Sequence, residues 1–171
     1  MMRERTEMEA GNRTMRSDND MDEKKTARLS GPFPGPVVGI AGVVIHNGSL
    51  LLIQRGSNPG YGMWSIPGGK LEFGESLRHG VEREIREECG IDVVAGDVLG
   101  VFDLIEHDDD GSIAFHYVLI DLEARYRGGE IRAGSDASDV RWVPLREVHL
   151  LPLSHRLSEF VETLIERFGD E

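Results

Sequence analysis

The chain has 171 residues, 39% of them apolar and 29% charged, which suffices for one domain with a hydrophobic core. Its formal net charge of -12 disfavours broad binding to nucleic acid, where Lys and Arg must replace the counterions around phosphates, but carboxylates that first bind divalent cations can still hold a polyphosphate. Cys89, the only cysteine, excludes an intramolecular disulfide and a structural zinc site; it reads as a core residue. No stretch approaches the roughly 18 unbroken apolar residues of a membrane span, and charged residues stand where a signal peptide would be apolar, so no membrane partner and a cytoplasmic location are expected.

In chain order, residues 1–35 show almost no apolar periodicity and carry polar runs such as Arg16-Ser-Asp-Asn-Asp, too little apolar surface to offset the entropy of ordering. A disordered tail is expected there, with residues 36–171 as the folded domain; Met2, Met8, Met15 and Met21 leave open a translation start downstream of Met1. The run Gly31-Pro-Phe-Pro-Gly-Pro marks the boundary. Val37–Ile45 and Leu50–Arg55 are short aliphatic runs on either side of Asn47-Gly48, a strong turn signal, and predict a hairpin. A loop rich in Gly and Pro covers Ser57–Leu71, and a helix follows over Leu77–Cys89 with Gly90 as its C-cap. Val98–Ile105 and Ile113–Ala124 predict a second antiparallel pair across the acidic turn Glu106–Gly111, Gly128-Gly129 breaks the chain, and Val140–Val143 predicts a short strand. Ser154 is placed to cap a last helix with Leu157, Phe160, Val161, Leu164 and Ile165 on one face. Locally paired strands with one helix between them and one at the end predict an α+β fold, a mixed sheet flanked by helices.

The helix over Leu77–Cys89 carries the chemistry. At about 100° per residue, Leu77, Val81, Ile85 and Cys89 form an apolar stripe, while Glu82, Arg83 and Arg86 project away as a solvated face on which Glu82 and Arg86 make an i, i+4 pair. Glu88 falls within the apolar sector, Glu84 at its edge and Glu87 further round. Three carboxylates thus crowd one flank near the C-terminal end of a helix, where both mutual repulsion and the helix dipole oppose them. A solvated acidic face is the plain reading of such a pair on its own; a hard divalent cation, Mg²⁺ or Mn²⁺ with oxygen ligands, is the reading that compensates the charge.

The surroundings decide between the two. Gly69, Glu75, Arg83, Glu84, Ile85, Glu87, Glu88, Gly90 and Ile91 fill, at fixed spacing, every specified position of the pattern Gly, five residues, Glu, seven residues, Arg-Glu, aliphatic, any, Glu-Glu, any, Gly, aliphatic. This segment resembles the Nudix box. Trp64-Ser-Ile-Pro-Gly-Gly resembles the usual entry to the box and Arg141-Trp142-Val-Pro-Leu the strand after the family's variable loop, so the resemblance runs from about Val37 to the last helix and omits the tail.

The resemblance implies an α/β/α sandwich and hydrolysis of a pyrophosphate bond in a nucleoside diphosphate linked to another group, with Mg²⁺ or Mn²⁺ held by Glu84, Glu87 and Glu88 and by a backbone carbonyl at Gly68 or Gly69. It gives Arg83 a positioning role, paired with Glu75 or Glu84, and offers two general bases: Glu84, or a loop acid for which Asp136 is the candidate, with Asp139 nearby. Arg55, at the end of a predicted strand, is placed either to meet a phosphate in bidentate fashion or to sit on the surface. Trp64 is weighed as a packing residue or a base-stacking one. The turn Asp108-Asp-Asp-Gly lacks the spacing of a calcium loop and reads as solvated.

The proline that relatives acting on ADP-ribose often carry some fifteen residues past the box is replaced here by Glu106 and His107, so ADP-ribose and nucleoside triphosphates both stand as substrates. A nucleotide sensor of the same fold is the competing class, disfavoured because the box is complete. An RNA-cap pyrophosphatase would find basic residues at Arg125, Arg127 and Arg132 but a strongly acidic chain around them. A homodimer is left open.

Overall fold

A computed structural model describes residues 35–58, 60–134 and 136–169; the tail expected over residues 1–35 lies, up to residue 34, outside the described residues. Among the described residues, seven strands, two α-helices and a 3-10 turn follow in the order β1 (Val37–His46), β2 (Ser49–Arg55), β3 (Trp64–Ser65), β4 (Gly68–Lys70), α1 (Leu77–Cys89), β5 (Asp92–His107), β6 (Ile113–Gly128), β7 (Ala137–Pro144), the 3-10 turn Leu145–Leu150 and α2 (His155–Phe168). The strands join in one mixed sheet of order β3-β2-β1-β6-β5, with β4 on β1 and β7 on β2.

β1 is the centre of that sheet, and its sequence says why. Val37–His46 is aliphatic without alternation, the pattern of a strand covered on both faces. Ile40 and Val44 join one core with Val81, Ile85 and Cys89 of α1, while Ala41 and Val43 join a second core with Leu157, Phe160, Val161 and Leu164 of α2. Two cores on opposite faces of one sheet make the α/β/α sandwich. β1 runs parallel to β6 from Val37↔Tyr117 to Val44↔Ala124, and antiparallel to β4. No helix among the described residues is long and apolar enough to cross a membrane.

The predicted elements are present, two short strands, β3 and β4, fall within the expected loop Ser57–Leu71, and three other differences have physical causes. The β1–β2 turn forms at Asn47 and Gly48, whose φ values of 49° and 70° are what a two-residue turn of the primed type requires, but the two strands pair only at Ile45↔Leu50 and His46↔Ser49. β2 then pairs along its whole length with β7, from Ser49↔Pro144 to Arg55↔Ala137. Second, β5 begins at Asp92, ahead of the expected Val98, because register shifts at Asp92/Val93, Ala95/Val98 and Val98/Gly100 break the alternation that would have announced it. Third, Glu82 and Arg86 do not pair: Glu82 accepts the Ala95 N–H at 3.0 Å, and Arg86 pairs with Asp92 at 2.9 Å, each side chain taking a partner on the strand that follows the helix.

At the other end of the chain, Ser154 stands at the N-cap of α2 but its hydroxyl makes no capping bond; its backbone N–H donates to the Trp64 carbonyl at 2.8 Å, tying the start of α2 to β3. A charged pair crosses the second core. Asp121 of β6 is fully buried and meets Arg156 of α2, whose burial pulls its pKa down to about 10.

Candidate active site

α1 is built to carry its carboxylates in one place. The Ser76 hydroxyl accepts the His79 N–H at its start, and Gly90 ends it in the left-handed region, φ 73°, with its N–H on the Arg86 carbonyl. Val81, Ile85 and Cys89 are fully buried against the sheet, which fixes the rotation of the helix and so the direction of every glutamate on it. Cys89 is therefore a core residue, its thiol pushed well up by burial.

Glu88 follows from that rotation. Only 8% exposed, it receives the Gly68 N–H at 2.8 Å, and its pKa is pushed up to about 7, first by burial and then by the neighbouring charges of Glu84 and Asp136, against the opposing pull of the Gly68 hydrogen bond. Glu84 is also raised, chiefly by burial, and is moderated by Arg83. Glu87 is more exposed, as its place further round the helix implies.

Arg83, expected on a solvated face by helical rotation alone, is largely covered and holds the site together. Its guanidinium donates to both carboxylate oxygens of Glu75 at 3.0 Å, to Glu84 at 2.8 Å, to Glu87 at 3.3 Å and to the Lys70 carbonyl at 3.2 Å. Glu75 is held below its ordinary range by that bond to Arg83, while the carboxylates drive Arg83 further up. Arg83 is thus paired with Glu75 and Glu84 at once. Among the described residues, no three of His, Cys, Asp and Glu converge as a ready-made metal cluster, because Arg83 draws Glu84 and Glu87 to itself and Gly68 draws Glu88.

The donor set nevertheless fits a hard cation. Every group is an oxygen donor, two of the carboxylates, Glu84 and Glu88, are raised by burial and by neighbouring carboxylates, and the Glu84 carboxylate lies so close to Gly69 that a Cβ there would collide with it. Glycine at 69 is what lets backbone and carboxylate share one cradle.

Beside it, a cavity of about 440 Å³ is lined by Ile53, Arg55, Ser57, Asn58, Gly68, Lys70, Glu88 and Asp136; of the three box glutamates on α1, Glu88 alone lines it. Tertiary contact therefore brings the β2 residue Arg55 and the loop residue Asp136 to the same space as Glu88, across long sequence separations. Lys70 is a residue that sequence reasoning passed over. It sits within the box at an unspecified position, and only its place on β4 beside Gly69 shows that it borders the cavity.

Two other sequence candidates lie elsewhere. Trp64 is 4% exposed in the second core, with the Arg141 guanidinium 4.9 Å over its ring, surroundings that fit the packing reading better than the base-stacking one. Asp139 pairs with Arg141 and does not line the cavity. The acidic turn is solvated, with Ser112 N–H on Asp110 and all of Asp108–Gly111 exposed.

Comparison with known proteins agrees with this geometry. The NUDIX domain family matches residues 36–164. An ADP-ribose pyrophosphatase of Methanocaldococcus jannaschii is 32% identical over 120 residues, 70% of this chain and 69% of that protein. Among solved structures, a MutT NUDIX hydrolase from Burkholderia pseudomallei superposes with a TM-score of 0.63 at 30% identity, covering 75% of this chain and 97% of that one. A bifunctional NMN adenylyltransferase/ADP ribose pyrophosphatase from Francisella tularensis, complexed with AMP and a Mn ion, gives a TM-score of 0.62 at 25% identity over 88% of this chain and 47% of that chain. With the complete box on α1, its carboxylates gathered against Gly68 and Gly69, and this match across the whole folded region, the chain belongs to the NUDIX family of pyrophosphohydrolase enzymes.

Proposed function

We propose that the protein hydrolyses the pyrophosphate bond of a nucleoside diphosphate linked to another group, of ADP-ribose or nucleoside triphosphate type, with Mg²⁺ or Mn²⁺ held by Glu84, Glu87, Glu88 and the Gly69 carbonyl. The observation that carries this reading is the buried Glu88, raised to about 7 beside Glu84 and Asp136, at a cavity that Arg55 and Lys70 also line. A carboxylate so placed is costly unless a cation shares the site. When bound, a divalent ion neutralises phosphate oxygens and lowers the pKa of a coordinated water.

The chain's own residues supply the rest. Arg55 and Lys70 face the cavity as cations for the phosphates, Arg55 with the planar fork that suits bidentate contact. Arg83 keeps Glu84 and Glu87 oriented on the helix and ties them to Glu75 in the loop before it. Asp136 is the better candidate to take the proton of the attacking water, because Glu84 is already engaged by Arg83. Asp136→Asn is then expected to slow turnover and to remove the acidic limb of the pH–rate profile without loss of folding; an unchanged profile and rate would return the base to Glu84.

The substrate assignment is tested by incubating the protein with Mg²⁺, and separately with Mn²⁺, in the presence of ADP-ribose, NADH, dinucleoside polyphosphates, nucleoside triphosphates and capped RNA, and identifying the products. Release of AMP from ADP-ribose, or of a nucleoside monophosphate and pyrophosphate from a triphosphate, supports the proposal. Turnover of none with either ion would point to a nucleotide sensor.

A further inference from the structure

Asp136 reaches the cavity from the segment between β6 and β7, and the end of α1 is what that segment rests on. The last carbonyls of a helix have no partner within it. Here two are taken by the loop: the Arg132 N–H donates to the Cys89 carbonyl at 2.8 Å and the Gly134 N–H to the Glu88 carbonyl at 2.9 Å. The Gly56 N–H, just past β2, donates to the Asp136 carbonyl at 3.1 Å, and the Ala137 N–H turns back to the Gly134 carbonyl at 3.4 Å. The main chain of Asp136 is thus bracketed between the strand that carries Arg55 and the helical turn that carries Glu87 and Glu88.

Gly134 is the point of closest approach. A Cβ there would be driven into the Glu87 carbonyl oxygen and would sit 3.0 Å from that carbonyl carbon and 3.1 Å from the Glu88 Cα. Those neighbours are helix backbone, which cannot swing aside as a flexible side chain could. The φ of Gly134 lies outside the left-handed region, so the contact and not the torsion is what calls for glycine.

We propose that Gly134 is a positioning residue for the pyrophosphohydrolase reaction: by letting the loop close on the last carbonyls of α1, it fixes the Asp136 carboxylate relative to Glu88. The proposal rests on the reading of Asp136 as a carboxylate that acts in the site. Its magnitude follows from geometry, since a displacement of about 1 Å at a reacting group can cost on the order of 100-fold in rate.

The test is a double-mutant cycle on the full chain with Gly134→Ala, Asp136→Asn and both, using whichever panel nucleotide is turned over fastest, ADP-ribose first, with Mn²⁺. Gly134→Ala is expected to lower kcat about 10- to 100-fold with KM changed by less than about threefold, and to add almost nothing in the Asp136→Asn background. If Asp136→Asn turns over like the wild type, the reading of Asp136 fails and the proposal with it. If Asp136→Asn is slow but Gly134→Ala is as fast as the wild type, or the two losses multiply in the double variant, the proposal alone is overturned. A measurement on the unaltered protein guards against a variant that does not fold: the Arg132 and Gly134 amides should exchange hydrogen as slowly as those of the last turn of α1, opening with it as one unit. Exchange at the rate of an open loop would overturn the clamp.

Discussion

Glu88→Gln is expected to lower turnover by orders of magnitude while leaving the fold intact or more stable. The substitution keeps the side chain's shape and removes a negative charge from a position that is 8% exposed and already crowded by Glu84 and Asp136. What is lost is a ligand for the ion that activates water and balances the developing phosphate charge. The same residue dictates a pH dependence in the metal-free protein. Its pKa rises from 4.5 in the unfolded chain to about 7 in the fold, so between those values the folded state retains a proton that the unfolded state has released. Stability therefore falls as pH rises through that window, by on the order of 3 kcal/mol from this group, and the cost is complete above it. Urea unfolding in chelator at about pH 5 and about pH 8 should show this slope in the wild type and a smaller one in the Gln variant, which keeps the raised Glu84. Calorimetric Mn²⁺ titration beside steady-state rates completes the test. A Gln variant that bound Mn²⁺ and turned over like the wild type would show Glu88 to be part of an inert acidic surface.

Asp121→Ala is expected to cost about 3–5 kcal/mol of stability, because it leaves Arg156 charged in the layer between sheet and helix with its partner gone. The pair sits where α2 packs on β6, next to the Phe102 ring, and Arg156 is already lowered by burial alone. Replacing both residues by leucine should recover most of the loss, since a desolvated pair and an apolar pair of similar size are close in free energy whereas half of an ion pair is not. Urea melts of the two single variants and the double variant separate these cases. An Asp121→Ala variant within about 1 kcal/mol of wild type would mean that water reaches Arg156 and that the pair is not a buried charge. Because Asp121 lies on the α2 side of the sheet and Glu88 on α1, the rate per folded molecule should hardly change.

What the sequence determined alone were the features set by local periodicity and fixed spacing. The apolar stripe Val81, Ile85 and Cys89 dictates the rotation of α1, and with it the burial of Glu88 and the exposure of Glu87. Asn47-Gly48 specifies a tight turn because few residues tolerate two positive φ values in succession. The box residues fall on one helix and the loop before it, so their proximity costs no long-range information. The rest required the tertiary structure. Helical rotation put Arg83 in solvent, yet β4 and the loop holding Glu75 fold over that face and turn it into the centre of an ion-pair network. Trp64 was open to either reading until β3 joined the second core, where its side chain is 4% exposed and Arg141 lies over its ring. The parallel pairing of β1 with β6 leaves no local trace, since register between distant strands depends on which faces must be buried together. Asp136 meets Glu88 only because β2 pairs with β7 and the loop before β7 closes on the end of α1, and Asp121 meets Arg156 only because α2 packs across β6. A buried charge is recognisable as such only once its partner, far away in the chain, has been folded against it.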